Sequence, residues 1–142
     1  MIQIDEEQIE EIELHGERDH PHECGGMLIG QFHADGTKVV IEIFPLENAR
    51  LEEDRNDRIL ILPTDIMRAE RYARDNKMDV VGYYHSHPDD KAIPSQYDLD
   101  HALPVWSYVI LSVMDGKAAD VRSWVMENDR SKFNEEPINR QG

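Results

Sequence analysis

Apolar and polar positions alternate with two distinct periods along this chain, and the change of period marks its elements. The first stretch is helical in pattern. Asp5 stands three residues before Gln8, the spacing of a capping box, and Ile9 and Ile12 share one face. The remaining face carries Glu6, Glu7, Glu10, Glu11 and Glu13, which read as a solvated acidic surface, and Gly16 reads as the end of the helix. After a loop over Arg18-Asp19-His20-Pro21-His22, the run Met27–Phe32 predicts an apolar strand. Asp35-Gly36 predicts a hairpin turn, and Lys38–Phe44 the partner strand, ended by Pro45.

Residues 46–57 show no clear period and much mixed charge, which predicts a surface loop. A short strand over Arg58–Leu62, ended by Pro63, precedes a helix over about 65–77 capped by Thr64. Ile66, Ala69 and Ala73 form its apolar face. Val80–His85 predicts a central strand closed by Ser86-His87-Pro88. Ser95 is placed to cap a short helix from Gln96 to about Leu103, with Pro104 stopping it. Ser107–Val113 predicts a buried strand, Asp115-Gly116 a turn, and Asp120–Val125 the next strand. The polar segment 127–142 is expected to fray. Strands and helices without a regular βαβ rhythm point to an α/β domain with one mixed sheet and flanking helices.

Composition narrows the classes. With 142 residues, the chain is expected to form one domain. It holds 30 acidic against 15 basic residues, a net charge of −15, which argues against nucleic acid or anionic lipid as partners. No apolar run reaches the roughly 20 residues of a membrane helix, and the N-terminus lacks a secretion-signal pattern, so a cytoplasmic protein is expected. A single cysteine, Cys24, excludes an internal disulfide and a Cys-rich metal site.

The chemistry-bearing segment is His85-Ser86-His87-Pro88 followed by Ser95-Gln96-Tyr97-Asp98. On a strand, His85 and His87 project to the same face. Ten residues then separate His87 from Asp98, enough to leave the strand and return on a helix. Two imidazoles and a carboxylate leave a fourth tetrahedral position open, the pattern of a catalytic zinc. Each part alone is weak evidence. A His-x-His pair is common, and Ser95-x-x-Asp98 taken by itself is better explained as a capping box. A carboxylate that binds metal is also expected to be less available for capping.

Together, His85-Ser86-His87-Pro88, Ser95 and Asp98 resemble the JAMM signature of the MPN-type metallopeptidases. Pro21-His22-Glu23-Cys24-Gly25-Gly26-Met27-Leu28-Ile29-Gly30 resembles the upstream segment of the small prokaryotic members. The resemblance spans roughly 5–125 and implies the JAMM/MPN, cytidine-deaminase-like fold. It implies His85, His87 and Asp98 as Zn2+ ligands, Glu23 as general acid/base, and Ser95 as a donor to the developing oxyanion. The implied reaction is hydrolysis of an amide after the Gly-Gly tail of a ubiquitin-like or sulfur-carrier protein. The amine released would be a lysine side chain or a free amino acid such as cysteine. The loop at 46–57 is the candidate substrate-side flap. A non-catalytic MPN-type scaffold and a hydrolase of small-molecule amides are the rival readings.

Other residues carry less. His20-Pro21-His22 is a second His-x-His, but the proline turns the two rings apart. His101 lies one helical turn after Asp98, and a solvated ring explains it best. Cys24 has no matching base and reads as a small buried thiol. Gly25-Gly26 reads as close backbone packing, and Tyr83, Tyr84, Trp106 and Trp124 as core or pocket-wall aromatics.

Overall fold

The computed structural model describes residues 1–48 and 62–140. The predicted strand at 58–62 and most of the predicted loop at 46–57 lie outside them. Eight strands and three helices follow in the order β1 (Ile2–Gln3), α1 (Glu6–Asp19), β2 (Gly25–Phe32), β3 (Lys38–Leu46), α2 (Pro63–Asp75), β4 (Asp79–Pro88), α3 (Gln96–His101), β5 (Ser107–Met114), β6 (Lys117–Met126), β7 (Phe133–Glu136) and β8 (Ile138–Asn139). The strands form one mixed sheet in the order β7-β6-β5-β4-β2-β3-β1-β8. β4 and β5 run parallel, joined through α3, while β2 lies antiparallel to β4 on its other side. No helix among the described residues is long and apolar enough to cross a membrane.

α1 covers one face of the sheet. Asp5 accepts from the Gln8 amide at 2.9 Å and Gln8 accepts from the Asp5 amide at 3.1 Å, which closes the expected capping box. The Gln8 side chain also donates to the Val40 and Ile41 carbonyls, pinning the helix start to β3. Ile9 and Ile12 are fully buried against Leu28, Val81, Tyr84, Val109 and Leu111. Burial of such side chains contributes about 1.5–3 kcal/mol each. The helix does not stop at Gly16. A Cβ there would sit 2.3 Å from Leu111 Cδ2, so this glycine lets α1 lie close on β5, and the helix continues to Asp19.

The other face carries α2 and α3. Met27, Leu46 and Ala69 pack there with Phe44, Val80, Tyr83 and Trp106, and Ala102 with Tyr108 and Met126 beside them. A bulge in the β2–β4 pairing, where Leu28 faces Gly82 but Ile29 faces Val80, leaves Val81 as the extra residue. Val81 and Tyr84 thereby both enter the α1-side core, while Tyr83 points to the opposite face.

Three further boundaries differ from the sequence pattern. β3 runs through Pro45, which pairs with Gly26, because β1 covers only Lys38 and Val39 and leaves the proline on an open edge. Pro63 begins α2 at its first turn, and Leu62 rather than Thr64 occupies the cap, without a side-chain bond. The segment after 127 does not fray as a whole: β7 pairs with β6 and β8 with β1, and Ile138 packs on the core.

Candidate metal centre

His85 and His87 lie near the end of β4, on the face that carries α2 and α3. Both are buried. Their Nε2 atoms stand 3.1 Å apart. Asp98 reaches them from the first turn of α3, with Oδ1 at 3.2 Å from His85 Nε2 and Oδ2 at 3.2 Å from His87 Nε2. A tetrahedral ion with bonds of about 2.0–2.1 Å would set its ligands roughly 3.3–3.4 Å apart, and one ligand atom from each of the three residues lies within 4.8 Å of the others.

The surroundings fit a divalent ion as well. His87 Nδ1 lies 2.8 Å from the Lys91 carbonyl, which can only accept. The neutral ring therefore carries its proton on Nδ1 and turns the Nε2 lone pair toward the cluster. His85 Nδ1 has no hydrogen-bond partner among the described residues, and stacking on Tyr83, at 5.4 Å and 26°, orients that ring instead. Burial opposes charge at Asp98, but the two imidazoles and the Ser95 amide outweigh it and hold the carboxyl well below the usual range. Burial also opposes charge at His87, yet Asp98 and the Lys91 carbonyl hold this ring above its ordinary value. Two imidazole nitrogens and one carboxylate oxygen suit zinc among the available ions.

Capping and ion-facing geometry coexist at Asp98, contrary to the expectation that they compete. Its amide donates to Ser95 Oγ at 3.1 Å, and its Oδ2 accepts from the Ser95 amide at 2.9 Å while still facing His87. A carboxylate has lone pairs enough for both, and the cap fixes its orientation.

Glu23 joins this face by register. Gly25 pairs with His85 in antiparallel β2–β4. One step further, the Cys24 amide donates to Ser86 Oγ at 2.8 Å and the Ser86 amide donates to the Cys24 carbonyl at 3.0 Å. Glu23, two residues before β2, continues this register toward His87. Glu23 is buried, and it shares the wall of one cavity of about 310 Å3 with His85 and Asp98. Asn48 fixes its backbone by donating from the side chain to the Glu23 carbonyl at 3.0 Å. Sequence pattern missed Asn48, the Ser86 latch and the Lys91 carbonyl. Only Ser86 carried a signal, since it alternates with the two histidines and so had to face the opposite way.

The other candidates separate from the cluster. His20 lies 3.0 Å from Asp89 instead of facing the metal ligands, and His101 is exposed and stacked on Tyr97. Cys24 is buried, and that burial pushes its thiol up to about 12, so it stays protonated at neutral pH. Gly26 lies against the Tyr84 ring, where a Cβ would come within 2.5 Å.

The model for prokaryotic homologs of the JAB domain matches residues 5–127. This chain belongs to the prokaryotic JAB family. The JAB chain is similar to the CysO-cysteine peptidase of Mycobacterium tuberculosis, with 31% identity over 88% of this chain and 81% of that protein. It is also 31% identical, over 60% of its length, to an ER membrane protein complex subunit 8/9 homolog of Dictyostelium discoideum. That match spans 41% of the Dictyostelium protein. Among solved structures, a protein from Salinibacter ruber shares 36% identity at a TM-score of 0.76, covering 99% of this chain and 91% of that one. One from Desulfitobacterium hafniense shares 28% identity at a TM-score of 0.84, covering 100% and 94%. The JAB fold is thus a single α/β domain with a mixed sheet, as the alternation of elements implied.

Proposed function

We propose that this JAB protein is a zinc-dependent peptidase of the isopeptidase kind, hydrolysing the amide that follows a Gly-Gly tail on a ubiquitin-like or sulfur-carrier protein. The observation that carries this reading is the placement of Glu23. A carboxylate from a distant part of the chain lies buried on the wall of the cavity that His85 and Asp98 also line.

His85, His87 and Asp98 would hold the zinc. When bound, that ion would activate a water and polarise the scissile carbonyl. Glu23 takes the proton from the attacking water at its carboxylate and delivers it to the nitrogen of the departing amine. Ser95 Oγ accepts the Asp98 amide, which leaves its own proton to donate to the carbonyl oxygen as that oxygen gains charge. The Ser86–Cys24 bonds and the Asn48 side chain hold the Glu23 backbone so that this transfer needs little rearrangement. The choice of tail follows the Mycobacterium relative, whose name describes release of cysteine from CysO. A scaffold role is the alternative, and the Dictyostelium relative named as a complex subunit is its support.

The test is zinc-loaded protein against a panel of ubiquitin-like and sulfur-carrier fusions joined through Gly-Gly. Glu23→Gln is expected to keep one zinc per chain and to lower kcat by roughly 10²–10⁴. Absence of cleavage across the whole panel by the parent protein would overturn the reading.

A further inference from the structure

The cavity beside the candidate centre is larger and more apolar than a pair of glycines requires. Besides Glu23, His85 and Asp98, its lining is Met27 from β2, Ile66 from α2, Tyr83 from β4, Tyr97 and His101 from α3, Trp106 just before β5, and Tyr108 within it. Elements that are distant in sequence thus converge on a largely aromatic cavity, whose whole volume, the end at Glu23, His85 and Asp98 included, is about 310 Å3. That volume accommodates a large side chain. The Tyr108 hydroxyl is already engaged, accepting from the Leu103 amide at 2.8 Å. The Tyr83 hydroxyl has no hydrogen-bond partner among the described residues. No lysine or arginine of the described residues lines the enclosure. Tyr83 also stacks on His85, so an occupant touching the wall touches a ring that bears on the reacting centre.

We infer that this enclosure is a specificity pocket for an apolar side chain on the amine side of the scissile bond. The inference rests on the reaction proposed above, in which the acyl side ends in two glycines and brings no side chain of its own. Two extended residues span about 7 Å, so side chains upstream of the glycines start well away from the end at Glu23, His85 and Asp98. The residue whose nitrogen is released is joined directly to the carbonyl carbon, and its side chain is the nearest available filler. The acidic groups and aromatic walls of the cavity disfavour an acidic side chain there. The chain would therefore discriminate among leaving groups, and not only recognise a glycine tail.

The experiment varies one residue. Gly-Gly-tailed fusions carrying glycine, aspartate, leucine or phenylalanine on the amine side are compared by kcat/KM with zinc-loaded protein. Leucine and phenylalanine are expected to exceed glycine and aspartate by roughly ten- to hundredfold, mainly through KM. Trp106→Ala should flatten the series, and Ile66→Ala serves if that variant does not fold. A series in which glycine matches leucine would overturn the pocket while leaving the proposed reaction intact.

A binding arm separates the two ideas further. Metal-free, 15N-labelled protein is titrated with leucinamide, phenylalaninamide and glycinamide. The chain has two tryptophans, hence two indole N–H resonances. The Trp106 signal should move saturably with the two apolar amides, while Trp124, which donates to the Ala92 carbonyl, holds still. If that occurs without turnover of any fusion, the pocket stands and the reaction falls. If Trp106 ignores all three amides, the pocket falls.

Discussion

At the scale of single residues, the clustering of His85, His87 and Asp98 was the most legible part of the chain. His85 and His87 obey strand alternation, and Asp98 follows at a spacing that a loop and half a turn of helix can bridge. What pattern could not show is support that acts through the backbone. Asn48 touches Glu23 only at its carbonyl oxygen. Nothing in the surrounding sequence, Glu47-Asn48-Ala49, marks that contact. On the proposed reaction, Asn48→Ala is expected to lower kcat by roughly ten- to hundredfold, because a displaced Glu23 would lose its alignment for proton transfer. KM and zinc content should hold. A proportional loss of zinc instead would show that Asn48 serves the cage and not the carboxylate. Asp98 teaches the complementary lesson. The capping and ligand readings looked exclusive in sequence, yet one carboxylate caps α3 and still faces both histidine rings, because its oxygens accept from several directions.

Elements with a strong period were read correctly, and those held by neighbours were not. Ile9 and Ile12 announce α1, whereas β1, β7 and β8 are two to four residues long and owe their existence to pairing with β3, β6 and β1. Gly16 looked like a terminator because local propensity says so, while the contact with Leu111 that explains it lies almost a hundred residues away. α1 also carries a pH-sensitive anchor. His15 is buried, with Nδ1 at 2.7 Å from the Tyr84 hydroxyl and Nε2 at 3.3 Å from Asp19. Burial lowers its proton affinity below the ordinary 6.5, although Asp19 pulls the other way and Arg18 adds to the lowering. The unfolded chain therefore takes up this proton first as pH falls. The stability that His15 contributes is present above 6.5 and is lost as pH drops below it toward the lower folded value. His15→Gln should weaken the acid-side slope of stability between pH 7 and 5, followed by urea midpoints of the zinc-loaded protein. An unchanged slope would show that other groups set it.

Across the whole molecule, the sheet works as a frame that holds groups from three regions on one face. The segment leading into β2 brings Glu23, β4 the two histidines, and α3 the aspartate, while α1 and its core occupy the opposite face. An ion bound by the native cage but not by the unfolded chain stabilises the fold by mass action. At a free concentration one hundred times Kd the gain is about 2.7 kcal/mol. For a domain of this size, that corresponds to a rise in Tm of roughly 5–10 °C. Addition of zinc to chelator-treated protein should produce that shift in a thermal melt, and Asp98→Ala should abolish it. A melt indifferent to zinc would mean that the cage does not close on the ion. The acidic balance of the chain, 30 against 15, belongs to this scale too: it shapes the field around the molecule but nothing about the fold.

The route of the chain through the centre has one more implication. The three side chains of the candidate cage come from a single stretch of fourteen residues, 85–98, whereas the carboxylate proposed to move the proton arrives on a separate segment, just before β2. Holding an ion and turning over a substrate are therefore written in different places, and a lineage could erase the second while keeping the first. A descendant altered only around 23 would still capture its metal and still offer the same aromatic recess. If the parent chain cuts as proposed above, such a descendant would have become a receptor for the same molecules.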